Sequence, residues 1–212
     1  MTCDPYAEAL AKVKDLCLEL KQRFPTFRHI DIGGGLGIPY KPTDHAFDLK
    51  AFADAVIPPL QELGLTVSME PGRFMVGNAG ILVTRVEYIK ENPLKKFVVM
   101  DAAMNDLIRP ALYQAYHGIQ AVRETKDTLF GDLVGPVCES GDFYAQEREL
   151  PAVKAGDLLA VMSAGAYGYA MSSNYNSRGR AAEIMVQGAR HEVVTARETV
   201  EELVRGERLP SW

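Results

Sequence analysis

The stretch HIDIGGGLGIPY, residues 29–40, decides how the first part of this chain folds. An apolar run centred on Ile30 leads directly into Gly33, Gly34 and Gly35. Such a run followed by glycines is typical of a strand that ends in a tight turn at the edge of a sheet. Glycine costs backbone entropy on folding, so three in succession indicate that another group approaches the bare main chain.

The surrounding sequence alternates between helical and strand-like patterns. Apolar residues at helical spacing between positions 6 and 20 precede the strand-like residues 28–32, and a second helical stripe at 49–63 precedes residues 65–69. This order predicts βα units with a parallel sheet, in which Pro58-Pro59 kinks or shortens the second helix. Two strands are too few for a parallel sheet covered by helices, so the units resemble the end of a larger (β/α)8 barrel.

The pattern changes after about residue 80 to short β-rich runs separated by turn signals. We interpret these as an antiparallel barrel or sandwich, closed by a helix at 198–205. The predicted fold class is therefore α/β plus all-β, with residues 1–80 as the C-terminal βα units of a barrel and residues 81–212 as a β domain. The strand-like runs are residues 81–89, 97–100, 157–162, 182–186 and 191–195.

Composition limits the classes of partner. The chain has 212 residues and a net charge of −5 without a Lys/Arg-rich run, which disfavours nucleic acids and anionic membranes and favours small molecules or proteins. No apolar run reaches the roughly 18 residues of a membrane span, and the start lacks a signal-peptide pattern, so we expect a cytoplasmic protein. Three widely spaced cysteines, Cys3, Cys17 and Cys138, and four scattered histidines argue against a disulfide framework and a metal site.

The glycine turn fits no dinucleotide or P-loop motif. Ile38 occupies the position where a Rossmann pattern needs glycine, and no Gly-Lys-Ser/Thr follows. A strand end whose N–H groups ring a phosphate is one interpretation, and a purely structural turn is the other.

The next strand-like run ends in EPGRF, which contains Glu70, Gly72 and Arg73. A carboxylate, a rigid turn and an arginine at one sheet edge suit a ligand with a basic ring nitrogen and anionic groups. A Glu70–Arg73 salt bridge at a turn is the alternative.

Two later segments carry further candidate residues. Arg109 and Tyr113 share one face if residues 101–118 form a helical turn, although Pro110 argues against a long helix and leaves a surface arginine as an alternative. Cys138 beside Glu139 suits an acid or a nucleophile, or the thiol is buried and inert.

A third segment, residues 163–180, surrounds Tyr167, Tyr169 and Tyr175 with Gly, Ala and Ser. Many small residues in one segment indicate close approach of a ligand or of another subunit.

Together these motifs resemble the C-terminal half of the diaminopimelate decarboxylase family, pyridoxal-phosphate enzymes of the alanine-racemase-like fold (fold type III). The matching stretches, in order, are GGGLG, EPGRF, DAAMNDLIRPALY, CESGD and GAYGYAMSSNYNSR. Gly179 replaces a proline usual in the family. The larger departure is the family's pyridoxal-binding lysine, found in a Tyr-Ala-x-Lys setting, which has no counterpart here. We therefore expect a fragment that is inactive by itself.

The resemblance implies a role for each candidate residue. Glu70 would face the pyridine nitrogen, and Cys138 would deliver a proton from the partner subunit of a homodimer. The cofactor phosphate would be held by Gly33, Gly34, Gly35, Gly72, Arg73 and Tyr167. The substrate would be bound by Arg73, Arg109, Tyr113, Glu139 and Tyr167.

The residues also bear on substrate choice. Diaminopimelate ends in both an amine and a carboxylate, for which Glu139 and Arg109 are suitable partners. The implied reaction converts meso-2,6-diaminopimelate into L-lysine and carbon dioxide. A decarboxylase of a basic amino acid or a carboxylated polyamine is the alternative enzyme, and an inactive, truncated binding module is the alternative of another class.

Overall fold

The structure, a computed structural model, describes residues 4–212 and divides into two compact units between Asn78 and Ala79. Cys3 lies outside the described residues. Within residues 4–212, no helix combines the length and apolar character that a membrane crossing requires. The same residues contain no group of three His, Cys, Asp or Glu side chains suited to hold a metal ion.

The first unit contains the predicted alternation of helices and strands. β1 (His29–Asp31) and β2 (Thr66–Ser68) pair in parallel, with Ile30 opposite Val67, which confirms the parallel pairing. Three helices accompany them: α1 (Asp4–Arg23), α2 (Leu49–Leu63) and the short α3 (Gly72–Val76), after which a 3-10 turn spans Gly77–Ala79. The apolar core consists of Leu10, Cys17, Leu36, Phe52, Val56, Leu60 and Leu63.

Helix α2 runs through Pro58 and Pro59 to Leu63, so of the two predicted effects of these prolines, a kink or a shortening, the shortening is wrong. Each proline lacks the N–H that would bond four residues back, a cost of about 3 kcal/mol in a helix interior. The helix persists because its apolar face is buried and both ends are capped. The Asp48 carboxylate accepts the Ala51 N–H at 2.9 Å, and Gly64 ends the helix in a left-handed conformation.

The second unit contains a six-stranded sheet in the order β5-β8-β3-β4-β6-β7. A separate antiparallel hairpin, β9 (Glu183–Gln187) with β10 (Arg190–Thr195), and the helix α5 (Val200–Val204) follow it. Thr199 and Glu202 form a capping box at the start of α5. The six strands are β3 (Leu82–Glu91), β4 (Lys96–Met100), β5 (Ile119–Ala121), β6 (Thr128–Val134), β7 (Phe143–Pro151) and β8 (Leu158–Val161).

The sheet is mixed, which corrects the antiparallel prediction. β4 and β6 pair in parallel, with Phe97 opposite Asp132, whereas the other strand pairs are antiparallel. The parallel pair is possible because a long crossover, including the helical turn α4 (Arg109–Tyr113) and β5, separates the two strands. The edge strands β5 and β7 also contact each other, so the sheet curls into a nearly closed barrel. Its core is built around Val86, Val98, Met100, Leu133, Tyr144 and Val161.

Candidate active site

The glycine turn and the EPGR segment lie at the same edge of the first unit. Pairing continues beyond β1 and β2, because Ile32 N–H donates to the Ser68 carbonyl at 3.1 Å and Glu70 N–H donates to the Gly33 carbonyl at 2.9 Å. Parallel strands bring their carboxyl ends to one edge, so this juxtaposition follows from the strand order. Gly72 N–H donates to the Glu70 carbonyl at 2.8 Å and fixes the turn that follows.

The main chain of Glu70 is what approaches the bare backbone of Gly34. A Cβ atom on Gly34 would lie 2.1 Å from the Glu70 carbonyl oxygen, a distance that no real side chain tolerates. Gly33 and Gly35 have φ values of 73° and 94°, in the left-handed region that favours glycine. A structural requirement therefore accounts for all three glycines, whatever else the turn binds.

The same turn presents main-chain donors. Gly33 N–H donates to Asp31 Oδ1 at 2.6 Å, and the Tyr6 hydroxyl donates to the Gly34 carbonyl at 2.5 Å. Within residues 4–212, no hydrogen bond is formed by the N–H of Gly34 or Gly35. Consecutive N–H groups of this kind form an anion-binding concavity. The Glu70 side chain is exposed at the same edge.

Gly72 and Arg73 begin α3, directly after this edge. Arg73 is half-buried, and Pro71 precedes the helix without a side-chain cap. The first unit thus carries the predicted phosphate-binding glycines, Glu70 and Arg73.

In the second unit, the side chain of Arg109 is buried. The residue is 6% exposed, which excludes the alternative of a surface arginine. Arg109 and Tyr113 share the single turn of α4, but Tyr113 is 60% exposed. Pro110 is compatible with the helix because it occupies the first turn, where its missing N–H has no helical partner. Arg109 Nη1 lies 3.0 Å from Nε2 of His117, a residue that sequence reasoning did not select.

The segment that carries Cys138 and Glu139 is held by the buried carboxylate of Asp142. Its Oδ2 accepts the Val137 N–H at 2.7 Å and its Oδ1 accepts the Met104 N–H at 2.7 Å. Burial raises the pKa of Asp142, and the two N–H donors oppose that rise. A Cβ on residue 135 would lie 2.3 Å from this carboxylate, which explains the glycine there. Sequence reasoning missed Asp142, the last residue of the CESGD motif.

Cys138 and Glu139 are both exposed, so the alternative of a buried, inert thiol is wrong. Glu139 Oε1 accepts the Gly141 N–H at 3.2 Å, and Oε2 accepts the Tyr175 hydroxyl at 3.1 Å. These bonds, that of Gly141 first, lower the pKa of Glu139 below its ordinary value and favour the carboxylate. The sequence analysis did not predict the contact between Tyr175 and Glu139, because the two residues are distant in the sequence.

Tyr167 stands in a strained part of the small-residue segment. Its φ is 62°, and that of the buried Ser163 is 58°, both in a region that non-glycine residues rarely adopt. Such outliers concentrate at functional sites. The small residues satisfy close approaches inside the unit: a Cβ on Gly168 would lie 2.3 Å from the Ala164 carbonyl oxygen, and one on Gly80 would lie 2.5 Å from Gly165 Cα.

Comparison with known proteins defines the class. Residues 3–165 match the family model described as the pyridoxal-dependent decarboxylase C-terminal sheet domain, and the chain belongs to this family. Diaminopimelate decarboxylase of Pseudomonas aeruginosa is 51% identical over 209 residues, which cover 97% of this chain and 49% of that protein. The resemblance to diaminopimelate decarboxylases is thereby confirmed.

Solved structures agree. Diaminopimelate decarboxylase from M. jannaschii superposes with a TM-score of 0.93 at 36% identity, over 99% of this chain and 50% of that chain. The enzyme from Helicobacter pylori, complexed with L-lysine, gives a TM-score of 0.89 at 38% identity, over 97% and 51%. The chain spans about half the length of the curated relatives it matches.

Proposed function

We propose that this chain forms the C-terminal half of a diaminopimelate decarboxylase, which converts meso-2,6-diaminopimelate into L-lysine and carbon dioxide. Diaminopimelate decarboxylases that are 47–51% identical to this chain support this activity. The observation within the chain that carries it is a buried arginine, Arg109, in the same unit as a carboxylate with a lowered pKa, Glu139.

Substrate chemistry explains why both groups are needed. Diaminopimelate has two amino-acid heads, and the head that does not react presents a carboxylate and an ammonium group to the protein. Arg109 is suited to the carboxylate, since guanidinium binds carboxylates in a bidentate fashion, and Glu139 is suited to the ammonium group. Tyr113, exposed on the same helical turn as Arg109, contributes a hydroxyl. A basic amino acid that reacts at its only carboxylate offers no second carboxylate for Arg109 to bind.

The cofactor in this proposal is pyridoxal 5'-phosphate, and the residues at the edge of the first unit fit it. The N–H groups of Gly34 and Gly35 are suited to a phosphate, and Glu70 supplies a carboxylate for the pyridine nitrogen. When bound, pyridoxal phosphate supplies an electron sink for the charge left by the departing carbon dioxide. Glu70 would keep the ring nitrogen protonated, and Gly33, Gly34, Gly35, Gly72, Arg73 and Tyr167 are the residues proposed to hold the phosphate.

Cys138 is proposed as the donor that returns a proton to the carbon that has lost carbon dioxide. Its exposure and its place on the turn fixed by Asp142 suit a group that enters another subunit's site. We therefore propose a homodimer with shared active sites, which light scattering of the active protein tests. A monomeric, fully active protein would contradict it.

The larger architecture belongs to the same proposal. Residues 1–80 form the last βα units of a (β/α)8 barrel, and residues 81–212 form the C-terminal domain. The other half of the enzyme supplies the cofactor-binding lysine, and the protein acts in the cytoplasm.

Substrate profiling tests the proposed activity. The protein to use is this chain joined to the N-terminal half of the P. aeruginosa relative, called the completed chain below. We expect carbon dioxide release from meso-diaminopimelate to exceed that from ornithine, lysine, arginine and carboxyspermidine. Preference for one of the others would indicate a related decarboxylase, and no release from any would indicate a binding module.

A further inference from the structure

His117 is a fully buried histidine whose two ring nitrogens both have partners. Its exposed fraction is 0%. Nδ1 lies 2.8 Å from the Met162 carbonyl oxygen, and Nε2 lies 3.0 Å from Arg109 Nη1. The imidazole thus connects the end of β8 to the arginine that the proposed function assigns to the substrate's carboxylate.

The chemistry of these two partners fixes the tautomer. A carbonyl oxygen only accepts hydrogen bonds, so Nδ1 carries the hydrogen and donates it to Met162. A guanidinium group only donates, so Nε2 accepts from Arg109 with its lone pair. Burial lowers the pKa of His117, the Met162 carbonyl opposes this change, and the cations of Arg109 and Arg148 lower the pKa further. The ring is therefore neutral, with its hydrogen on Nδ1.

The position of His117 is set by the sheet. Its own carbonyl accepts a hydrogen bond from Arg148 Nη1 at 3.0 Å, and Arg148 belongs to β7. The Arg148 guanidinium also lies 4.1 Å from the centre of the Tyr116 ring. Because Tyr116 directly precedes His117, this contact holds the same segment against β7. Thus β7 holds the main chain of His117, and the residue that follows β8 holds its imidazole ring.

From this geometry we infer that His117 is a positioning residue that orients the Arg109 guanidinium toward the substrate's unreacted carboxylate. Bidentate recognition of a carboxylate depends on the plane of the guanidinium, and an acceptor fixed at Nη1 sets that plane. The inference rests on the proposed function, and it adds a residue that does not itself contact the substrate.

A matched pair of amides separates the two bonds of the imidazole. In His117→Asn, the shorter amide retains a donor for Met162 but has no acceptor near Arg109. In His117→Gln, the longer side chain places an oxygen near the former Nε2. The probes are L-lysine, which retains the second head with its carboxylate, and 1,5-diaminopentane, which lacks both carboxylates. Their dissociation constants are measured with the completed chain loaded with pyridoxal phosphate.

His117→Asn is expected to weaken lysine binding about tenfold relative to diaminopentane, whereas His117→Gln changes this ratio less than about threefold. The inference would be overturned if the ratio of the lysine and diaminopentane dissociation constants were the same in wild type and both variants. It would also be overturned if both variants lost lysine affinity equally relative to diaminopentane. Wild-type turnover of diaminopimelate tests the proposed function separately. If wild type does not bind lysine more tightly than diaminopentane, both the proposed binding of the substrate's carboxylate by Arg109 and the role of His117 are wrong.

A second measurement does not depend on the variants folding. In the completed wild-type chain labelled with ¹⁵N-histidine, His117 should give the shifts of a neutral ring protonated at Nδ1. A ring protonated at Nε2, or at both nitrogens, would overturn the inference because it has no lone pair for Arg109.

Discussion

The Gly34→Ala substitution tests whether the glycine turn and Glu70 act as one unit. Gly34 has an ordinary φ, so the backbone itself accepts alanine, and the cost comes from contact. The new Cβ would lie 2.1 Å from the carbonyl oxygen and 3.1 Å from the carbonyl carbon of Glu70. Ordinary contact begins at 3.4 Å, so the two strand ends must separate by about 1.3 Å.

This displacement moves the Glu70 carboxylate, proposed to contact the pyridine nitrogen, away from the N–H groups of the glycine turn, proposed to bind the phosphate. It also stretches the hydrogen bond from Glu70 N–H to the Gly33 carbonyl, which is 2.9 Å long. Because a misplacement of about 1 Å can cost about 100-fold in rate, we expect kcat/KM for diaminopimelate to fall about 100-fold in the completed chain. Pyridoxal-phosphate affinity, measured by fluorescence titration, should fall as well.

Two glycine substitutions serve as controls. Gly33→Ala meets no atom within 4 Å but adopts a φ of 73°, so it costs about 1–2 kcal/mol of stability without displacing Glu70. Gly206→Ala meets nothing within 4 Å and has no positive φ. If Gly34→Ala retains the turnover and cofactor affinity of Gly206→Ala, the proposed coupling between the glycine turn and Glu70 is wrong.

Three further predictions concern the second unit. Arg109→Ala in the completed chain should lower kcat/KM for diaminopimelate by the equivalent of about 2–4 kcal/mol of transition-state binding. The control Arg123→Ala, at an exposed position, should leave kcat/KM unchanged. An unchanged kcat/KM for Arg109→Ala would remove this residue from the site. Cys138→Ala should slow lysine formation or misdirect protonation with little change in cofactor affinity, because a proton donor acts after the cofactor binds; loss of affinity alone would indicate a packing role. The lowered pKa of His117 also makes the free energy of unfolding depend on pH. As pH falls, the imidazole of the unfolded chain takes up a proton near pH 6.5, before that of the folded chain does. The stability contributed by the neutral ring is therefore fully present above pH 6.5 and is lost as pH falls through the lowered pKa of the folded state. Urea unfolding at several pH values should show this loss in wild type and a smaller loss in His117→Gln; identical pH dependence in the two proteins would contradict it.

The sequence predicted the elements with regular patterns and missed those whose pattern is interrupted by tertiary requirements. β6 contains Gly131 and Asp132 in place of an alternating apolar pattern. Gly131 is needed because a Cβ there would lie 2.4 Å from the Lys96 carbonyl oxygen, and the buried Asp132 is paired with Lys95 at 3.1 Å. β7 carries several charged residues, and β5 has only three residues. Neither gives a clear periodic signal.

The candidate site divides in the same way. The strand order alone places the glycine turn and Glu70 at one edge, because parallel strands end together. The contacts of Tyr175 with Glu139, of Asp142 with Met104 and of Arg109 with His117 depend on how distant or irregular segments fold. No local pattern encodes these contacts, so the sequence did not predict them.

The most direct test of the central claim is carbon dioxide release from meso-diaminopimelate by three samples. These are the 212-residue chain alone, the P. aeruginosa N-terminal half alone, and the two expressed together. We expect release with matching lysine formation only from the pair, because the proposed function assigns Glu70, Arg109, Cys138 and Glu139 to this chain and the lysine of the family's Tyr-Ala-x-Lys motif to the other half. Release by this chain alone, or none by a pair that associates and binds pyridoxal phosphate, would show that the proposed function is wrong.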